Sequence, residues 1–379
     1  MQKNELTSKP AVSPTRRGKR EQPRGGLGRR VGQTVLRALA CLLTLAGALV
    51  ITVLLSLRMI CSDAFPTAQQ MFVTTILETG QMKFLASWFL SPEEIQAIVD
   101  QNSMQALDAQ VDSTLIHIGG TGQVDTGSGG EAEQDIEVVE VAGATYTGTM
   151  MIIKDPSRVS LATIYPWRDE GVTLDQLVKD SGAIAGINGG LYDSTNNTGG
   201  RPHGVIVSHG EIQYNKPQQY PGLVLIGFTE DHLLQIIDIS DMNAAQVEEL
   251  VKTEKIRDAV TFQEEASDTN NHFVQLIINN EARDMRGQGS GLNPRTAIGQ
   301  RADGAVLMFV TDGRGKSGHL GASSGDLIAV MQQFGAVNAA NLDGGSSSCM
   351  YYDGEYLMPS VTFYYANSSW KLPAGFVVT

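Results

Sequence analysis

Twenty consecutive residues without a charge, Ala38 to Leu57 (ALACLLTLAGALVITVLLSL), constrain this chain more than any other feature. A helix of that length rises about 30 Å, the thickness of a bilayer's hydrocarbon core. A cleaved signal peptide has an apolar stretch of about 7 to 15 residues that ends in small residues. Here Arg58 closes the run and no A-x-A site follows it. The reading is an uncleaved anchor, a transmembrane helix over 35–58. Residues 1 to 58 hold eleven Lys or Arg against Glu5 and Glu21, a balance of +9. By the positive-inside rule the basic tail, 1–34, is cytoplasmic and the rest extracytoplasmic, a single-pass protein of the cell membrane.

The net charge is -13, so the 321 residues beyond Arg58 carry -22. An acidic body of that size repels a nucleic-acid backbone, which needs a cationic footprint to release counterions; no nucleic-acid partner is expected. Of three cysteines only Cys349 lies in the body, beyond Cys41 and Cys61. That excludes a disulfide-framed scaffold and a cysteine-built metal site.

Past the anchor, 59–118 reads as a helical stalk. Within it Ser91-Pro92-Glu93-Glu94 has the helix-start pattern of a capping serine, proline at the first position and Glu three residues on. The segment 119–135 is rich in Gly and acid and reads as a linker. From Ile136 to Thr379 short strands alternate with turn signals: IEVVEV, GTMMIIK, RVSLATI, AIAGI, GVIVS, EIQYN, LVLIGF, LLQIIDI, FVQLIIN, RTAIGQ, AVLMFVT and AGFVV. Helices are expected at TLDQLVKD, near Asn243 to Lys252 and over Ser323 to Phe334. Strands outnumber helices and regular βαβ alternation is absent, which points to an α+β domain with a mixed or antiparallel sheet.

Four clusters of unusual residues stand at strand ends: Ile187-Asn188-Gly189-Gly190-Leu191-Tyr192-Asp193, Asn293-Pro294-Arg295-Thr296-Ala297-Ile298-Gly299, Asp312-Gly313-Arg314, and Asn341-Leu342-Asp343-Gly344-Gly345-Ser346-Ser347-Ser348. Each alone reads as a tight turn, since Asn-Gly and Asp-Gly are common hairpin signals. Together they assemble a chemistry. Arg295 and Arg314 offer bidentate forks, and the backbone N–H groups of Gly344, Gly345 and Ser346 a nest of donors, which is what a phosphate oxygen requires. Arg295, at the edge of a strand, has few obvious internal partners. Asp343, Asp312 and Asp193 are candidates for base or nucleophile. His203 and His319 sit in Gly-rich loops beside the clusters.

Other motifs fail on context. Gly315-Lys316-Ser317 lacks the glycine a phosphate loop needs five residues before Gly315, where Val310 stands. Gly321-Ala322-Ser323-Ser324-Gly325 fits a serine-hydrolase elbow, but no strand precedes it; a serine capping a helix, with Asp326 in the first turn, accounts for it better. The six histidines show no zinc spacing, and no metal or other cofactor is expected.

INGGLYD, NPRTAIG, TDGR and NLDGGSSSCMYYDG, in this order, resemble the phosphodiester glycosidase family over Ile136 to Thr379. Leu191-Tyr192, His319-Leu320-Gly321 and Ser346 depart from the family's common pattern. The resemblance implies hydrolysis of a sugar-1-phosphodiester, which expels a phosphate monoester, already a good leaving group. Charge stabilisation of that phosphate then matters more than protonation. Arg295, Arg314, Gly344, Gly345 and Ser346 would bind phosphate, with Asn188, Thr296, Asn341 and His319 lining the site, and Asp343, Asp312 or Asp193 would activate water or attack the anomeric carbon. The expected partner is a phosphorylated glycan of a cell wall or exopolysaccharide. A non-catalytic phosphoglycan-binding module and a serine esterase acting through Ser323 are the alternatives.

Overall fold

The computed structural model describes residues 26–79, 82–107, 109–118, 135–287, 289–362 and 367–379, with side chains from Val31 on. Residues 1–25 of the expected tail and 119–134 of the expected linker lie outside the described residues. The chain divides into two units, one ending at Arg58 and one running from Met59 to Thr379. The apolar run lies in helix Gly26–Ile60. Its stretch Val31–Ile60 is long and apolar enough to cross a membrane, a test that a signal sequence near an N-terminus also passes.

Antiparallel strands dominate the second unit. Among the described residues, a seven-stranded sheet runs in the order Ile136–Ala142, Thr147–Ile153, Val306–Thr311, Thr296–Arg301, Ala336–Asn341, Gln275–Ile278, Glu281–Ala282. A five-stranded sheet has the order Glu355–Met358, Met350–Tyr352, Ala185–Asn188, Ala374–Val378, Val159–Thr163, and another Glu211–Asn215, Val205–Ser208, Ile256–Gln263, Leu223–Thr229, Leu234–Asp238. The α+β expectation holds, with antiparallel pairing.

The three sheets turn one face each to a common core: Met151, Ile153 and Met308 from the first, Leu161, Ile187 and Phe376 from the second, Ile226, Phe228 and Val260 from the third. Each outer face is covered by a helix. Ser324–Gln333 packs with Leu327 and Met331 against Met150, Ile152 and Phe309. Leu174–Asp180 covers the second sheet through Leu177 and Val178, and Ala244–Thr253 the third through Val247 and Val251. Strands covered on both faces read as unbroken apolar runs, because successive side chains point to opposite faces. In TGTMMII, Met150 and Ile152 enter one core while Met151 and Ile153 enter the other.

The segment expected as a stalk is built differently. Residues 59–118 belong to the same unit as the sheets. Helices Pro66–Leu77, Phe84–Ser87 and Pro92–Gln101 share a small core of Val73, Leu77, Ala86, Leu90, Ile95 and Val99. Ser91 caps the last of them in a reciprocal capping box with Glu94. This helical cap is also joined to the sheets. The side chain of Arg283 donates to the carbonyls of Gln105 and Met104, and Leu292 N–H donates to Thr75 Oγ1 at 3.0 Å. A side chain at Gly291 would collide with the backbone of Thr75, so glycine lets the helix approach this closely.

Candidate active site

Antiparallel register explains why four clusters far apart in sequence meet. Thr296 lies opposite Val310 and Ala297 opposite Asn341, so the start of strand Thr296–Arg301 lies beside the ends of both its neighbours. Asn188, ending a strand of the second sheet, is the cross-tie: its Nδ2 donates to the Asp343 carbonyl at 2.7 Å, and its Oδ1 accepts from Thr296 Oγ1 at 2.7 Å and Cys349 N–H at 3.2 Å. Asn188 and Thr296, expected to face substrate, are buried and direct these bonds into the protein. Asn341 is buried too, with Nδ2 donating to the Phe273 carbonyl at 3.0 Å.

Asp343 stands at the centre of what these ties hold. Its carboxylate accepts from Ser347 and from the Gly344 N–H, with Arg314 nearby, and burial nonetheless pushes its pKa up to about 6. Ser347 Oγ is 2.9 Å from Tyr192 Oη, which anchors the serine from behind. Arg314 reaches across from the Asp312 loop: Nη1 donates to Ser346 Oγ at 2.8 Å and Nε to Asn293 Oδ1 at 3.4 Å. The guanidinium lies over Gly345, where φ is 65° and an added Cβ would come within 2.6 Å of Arg314 Nη2. Only glycine satisfies both demands.

Asp312 and His319 form a second group. Asp312 is buried; its Oδ1 accepts from Thr147 N–H at 2.8 Å and its Oδ2 lies 2.7 Å from His319 Nδ1. A carboxylate on Nδ1 leaves Nε2 of the neutral ring as the basic nitrogen, the arrangement of an oriented proton acceptor. Asp193 is placed differently: its carboxylate turns back on its own chain and accepts from Thr195 N–H at 3.0 Å, an Asx turn. His203 is held by Gln219 Nε2 at 2.7 Å. Ser323 caps helix Ser324–Gln333, its hydroxyl and the Asp326 carboxylate each bonded to the other's backbone N–H. This is the geometry of a helix start, and the only oxygen partner it brings to Ser323 Oγ is a carboxylate at 2.7 Å, with no histidine described beside it.

Arg295 requires a correction to the expectation that it has few internal partners. It is 3% exposed, and its guanidinium donates to the carbonyls of Ala322 and Gly291 and to Ser290 Oγ. It is also ion-paired to Glu78. The cause is the helical cap, since helix Pro66–Leu77 ends by delivering Glu78 into the sheets. Glu78 further accepts from Gly291 N–H at 2.7 Å and from Asn293 Nδ2 at 3.5 Å. Burial pushes its pKa up to about 7 against the pull of Arg295. Asn293 thereby joins Glu78 on one side to Arg314 on the other.

Glu78 and Thr147 are the site's unanticipated members, while Asn293, Ser347 and Tyr192 lie within the strand-end clusters and take roles not assigned to them there. A signal for Glu78 was available: it is the only charged residue between Asp63 and Lys83, at the end of an apolar stretch. Among the described residues no three His, Cys, Asp or Glu side chains gather as metal ligands.

A family model described as phosphodiester glycosidase matches residues 181–379, more than half of the chain. The chain belongs to the phosphodiester glycosidase family. That membership places it, at the level of the family, among hydrolases of phosphodiester-linked sugars. The family match holds every candidate from Asn188 to Ser346, while Thr147 and Glu78 lie outside it. An uncharacterized SPbeta prophage-derived protein of Bacillus subtilis is 38% identical over 65 residues, 17% of this chain and 10% of that protein. The chain thus matches about a tenth of that curated relative's length. Among solved structures, the zebrafish N-acetylglucosamine-1-phosphodiester alpha-N-acetylglucosaminidase catalytic domain, auto-inhibited by its pro-peptide, is similar with 17% identity and a TM-score of 0.49, over 64% of this chain and 81% of that one. A putative exported protein of Burkholderia pseudomallei is similar with 16% identity and a TM-score of 0.39, over 62% of this chain and 74% of that one.

Proposed function

We propose that this chain is a membrane-anchored, extracytoplasmic glycosidase that cleaves sugar-1-phosphodiesters to free sugar and a phosphomonoester, with the phosphorylated glycans of a cell wall or exopolysaccharide as substrate class. The observation that carries the reading is Asp343, a carboxylate with its pKa raised to about 6, set between Ser347, the Gly344 N–H and the Arg314 guanidinium. In the reaction the anomeric carbon–oxygen bond breaks and the bonding pair leaves on the phosphate. A water oxygen, giving its proton to Asp343, forms the new bond to carbon. Arg314, fixed by Ser346 and Asn293, balances the charge that builds on the departing phosphate. Arg295, buried against Glu78, orders the loop behind Arg314. The Asp312–His319 pair supplies a second proton carrier.

The test is Asp343→Asn in the full chain in detergent or nanodiscs. Removal of a general base costs at least about 100-fold in kcat, while the neutral amide keeps the side chain's size and one accepting oxygen. Loss of turnover with a melting temperature no lower than wild type's and retained substrate binding supports the role. Undiminished kcat would remove Asp343 from the chemistry, and wild-type protein that binds the phosphodiester without forming product would make the chain a binding module.

A further inference from the structure

The strand ends that hold Asn188 also hold a row of aromatic rings. Thr163 ends its strand opposite Ala374, beside Asn188, which lies opposite Gly375. The loop that follows Thr163 carries Tyr165 and Trp167. In the third sheet Tyr214 stands near the end of Glu211–Asn215, opposite Ile206. Gln213 ties the two sheets together: its carbonyl accepts from Trp167 Nε1 at 2.8 Å and its Oε1 from Thr163 Oγ1 at 2.7 Å. The rings touch in sequence, Tyr165 and Trp167 with centroids 5.7 Å apart and Trp167 and Tyr214 with centroids 6.3 Å apart, both pairs edge to face. Beyond Tyr214 the row turns polar. Tyr214 Oη lies 3.5 Å from Gln219 Oε1, Gln219 Nε2 donates to His203 Nδ1 at 2.7 Å, and the His203 and Tyr220 rings meet at 5.1 Å. His203 N–H donates to the Leu191 carbonyl at 2.9 Å, two residues past Gly189, whose own carbonyl accepts from Asp343 N–H at 3.4 Å. A continuous line of contacts thus runs from Tyr165 to the backbone of Asp343.

The outer end of this row is open. Tyr165 is 47% exposed, and Trp167 is half-buried with its one polar atom already bonded to Gln213. Lys216 Nζ lies 5.2 Å over the Tyr214 ring and takes that face, which leaves Tyr165 and Trp167 as the platform. Both precede residue 181 and so lie outside the family match. Flat apolar rings followed by an amide and an imidazole complement a pyranose, which has C–H bonds on its face and hydroxyls around its rim. Nucleobases also stack on aromatic rings, but the 321 residues beyond Arg58 carry -22 and repel their phosphates. The row reaches Asp343 through the second and third sheets, whereas Arg314, which faces the departing phosphate, reaches it from the first. We infer that Tyr165, Trp167, Gln219 and His203 form a subsite for neutral sugar residues, which holds the glycan chain attached to the sugar whose anomeric carbon is attacked. This rests on the glycosidase reading given above and deepens it: the released sugar is the end of an oligosaccharide.

The experiment uses the full chain in nanodiscs with two substrates, the methyl phosphodiesters of α-N-acetylglucosamine 1-phosphate and of the 1-phosphate of its β-1,4-linked tetramer. For wild type, kcat/KM for the tetramer should exceed that for the monosaccharide by about tenfold, the worth of two aromatic contacts. In Tyr165→Ala and in Trp167→Ala that ratio should fall toward one, through KM. Because the ratio is taken within one preparation, it is insensitive to any loss of folded protein. A wild-type ratio near one, or a ratio that both variants retain, overturns the subsite. Wild type that cleaves neither substrate overturns the glycosidase reading instead, and the row is then read from tryptophan emission on adding the free tetramer; the other tryptophans are Trp88 and Trp370. A change in emission that Trp167→Ala abolishes supports the subsite, and no change overturns it. A dimer on cross-linking that Tyr165→Ala abolishes, with emission unmoved by the tetramer, makes the row a contact between copies of the chain and likewise overturns it.

Discussion

Replacing Glu78 by alanine removes the only carboxylate described on Arg295. Both side chains are nearly sealed from water, Glu78 at 3% and Arg295 at 4% exposure, so solvent cannot take over the lost partner. The remaining contacts, Gly291 O at 2.6 Å, Ser290 Oγ at 2.9 Å and Ala322 O at 3.1 Å, are neutral acceptors. A buried ion pair broken on one side costs about 3–5 kcal/mol, because the surviving charge is left uncompensated. The Gly291 N–H also loses its acceptor. Against a typical domain stability of about 5–15 kcal/mol this is a large fraction. The assay is urea unfolding of the full chain in detergent, followed by near-ultraviolet circular dichroism, for Glu78→Ala, Arg295→Met and the double variant. The double variant should be more stable than the sum of the two single losses predicts, by about 2 kcal/mol or more, since it removes both charges together. A cost below about 1 kcal/mol for Glu78→Ala, with additive singles, would refute the pair and with it the account of how the cap is fixed to the sheets.

Gly345→Ala should reduce kcat/KM by about tenfold or more, since the left-handed backbone is strained by a Cβ and that Cβ displaces Arg314; the cost in stability is about 1 kcal/mol. Unchanged kinetics in that variant would separate Arg314 from the site. Asp343 and Glu78 both have folded-state pKa values above their ordinary ones, about 6 against 3.8 and about 7 against 4.5, so the folded protein binds their protons more tightly than the unfolded chain does. The contribution of these two groups to stability is therefore greatest below the ordinary carboxylate range and is lost as pH rises from about 4 to about 7. The melting temperature of Glu78→Gln relative to wild type should rise over that interval; a difference that does not change with pH contradicts the assignment. Turnover should run the opposite way, increasing as Asp343 ionises with an inflection near 6.

The sheets were legible where burial on both faces writes an unbroken apolar run, as in AVLMFVT and LVLIGF, which are strands Val306–Thr311 and Leu223–Thr229. Where the strands GVIVS and EIQYN meet, His209 and Gly210 both adopt the positive φ that a tight turn demands. Strand Ile256–Gln263, central in its sheet, was not. Its opening Arg257-Asp258 reads as surface, yet Asp258 is fully buried, paired with its neighbour Arg257 and accepting from His209 N–H, a partner that local sequence does not record. Of the site, the strand-end clusters were visible as turn residues with charge, and the antiparallel register supplies the reason they converge. The engagement of Arg295 was hidden because its partner lies 217 positions earlier, in a segment whose helices resemble a spacer until their shared core is seen.

The central claim is cleavage at the sugar carbon, and the most direct test follows oxygen. The full chain in nanodiscs is incubated in ¹⁸O-labelled water with an α-N-acetylglucosamine-1-phosphodiester of a simple sugar, and the products are weighed by mass spectrometry. The account predicts free sugar carrying the label beside an unlabelled phosphomonoester. Label in the phosphate would mean that the phosphorus–oxygen bond is cut instead, and would contradict it.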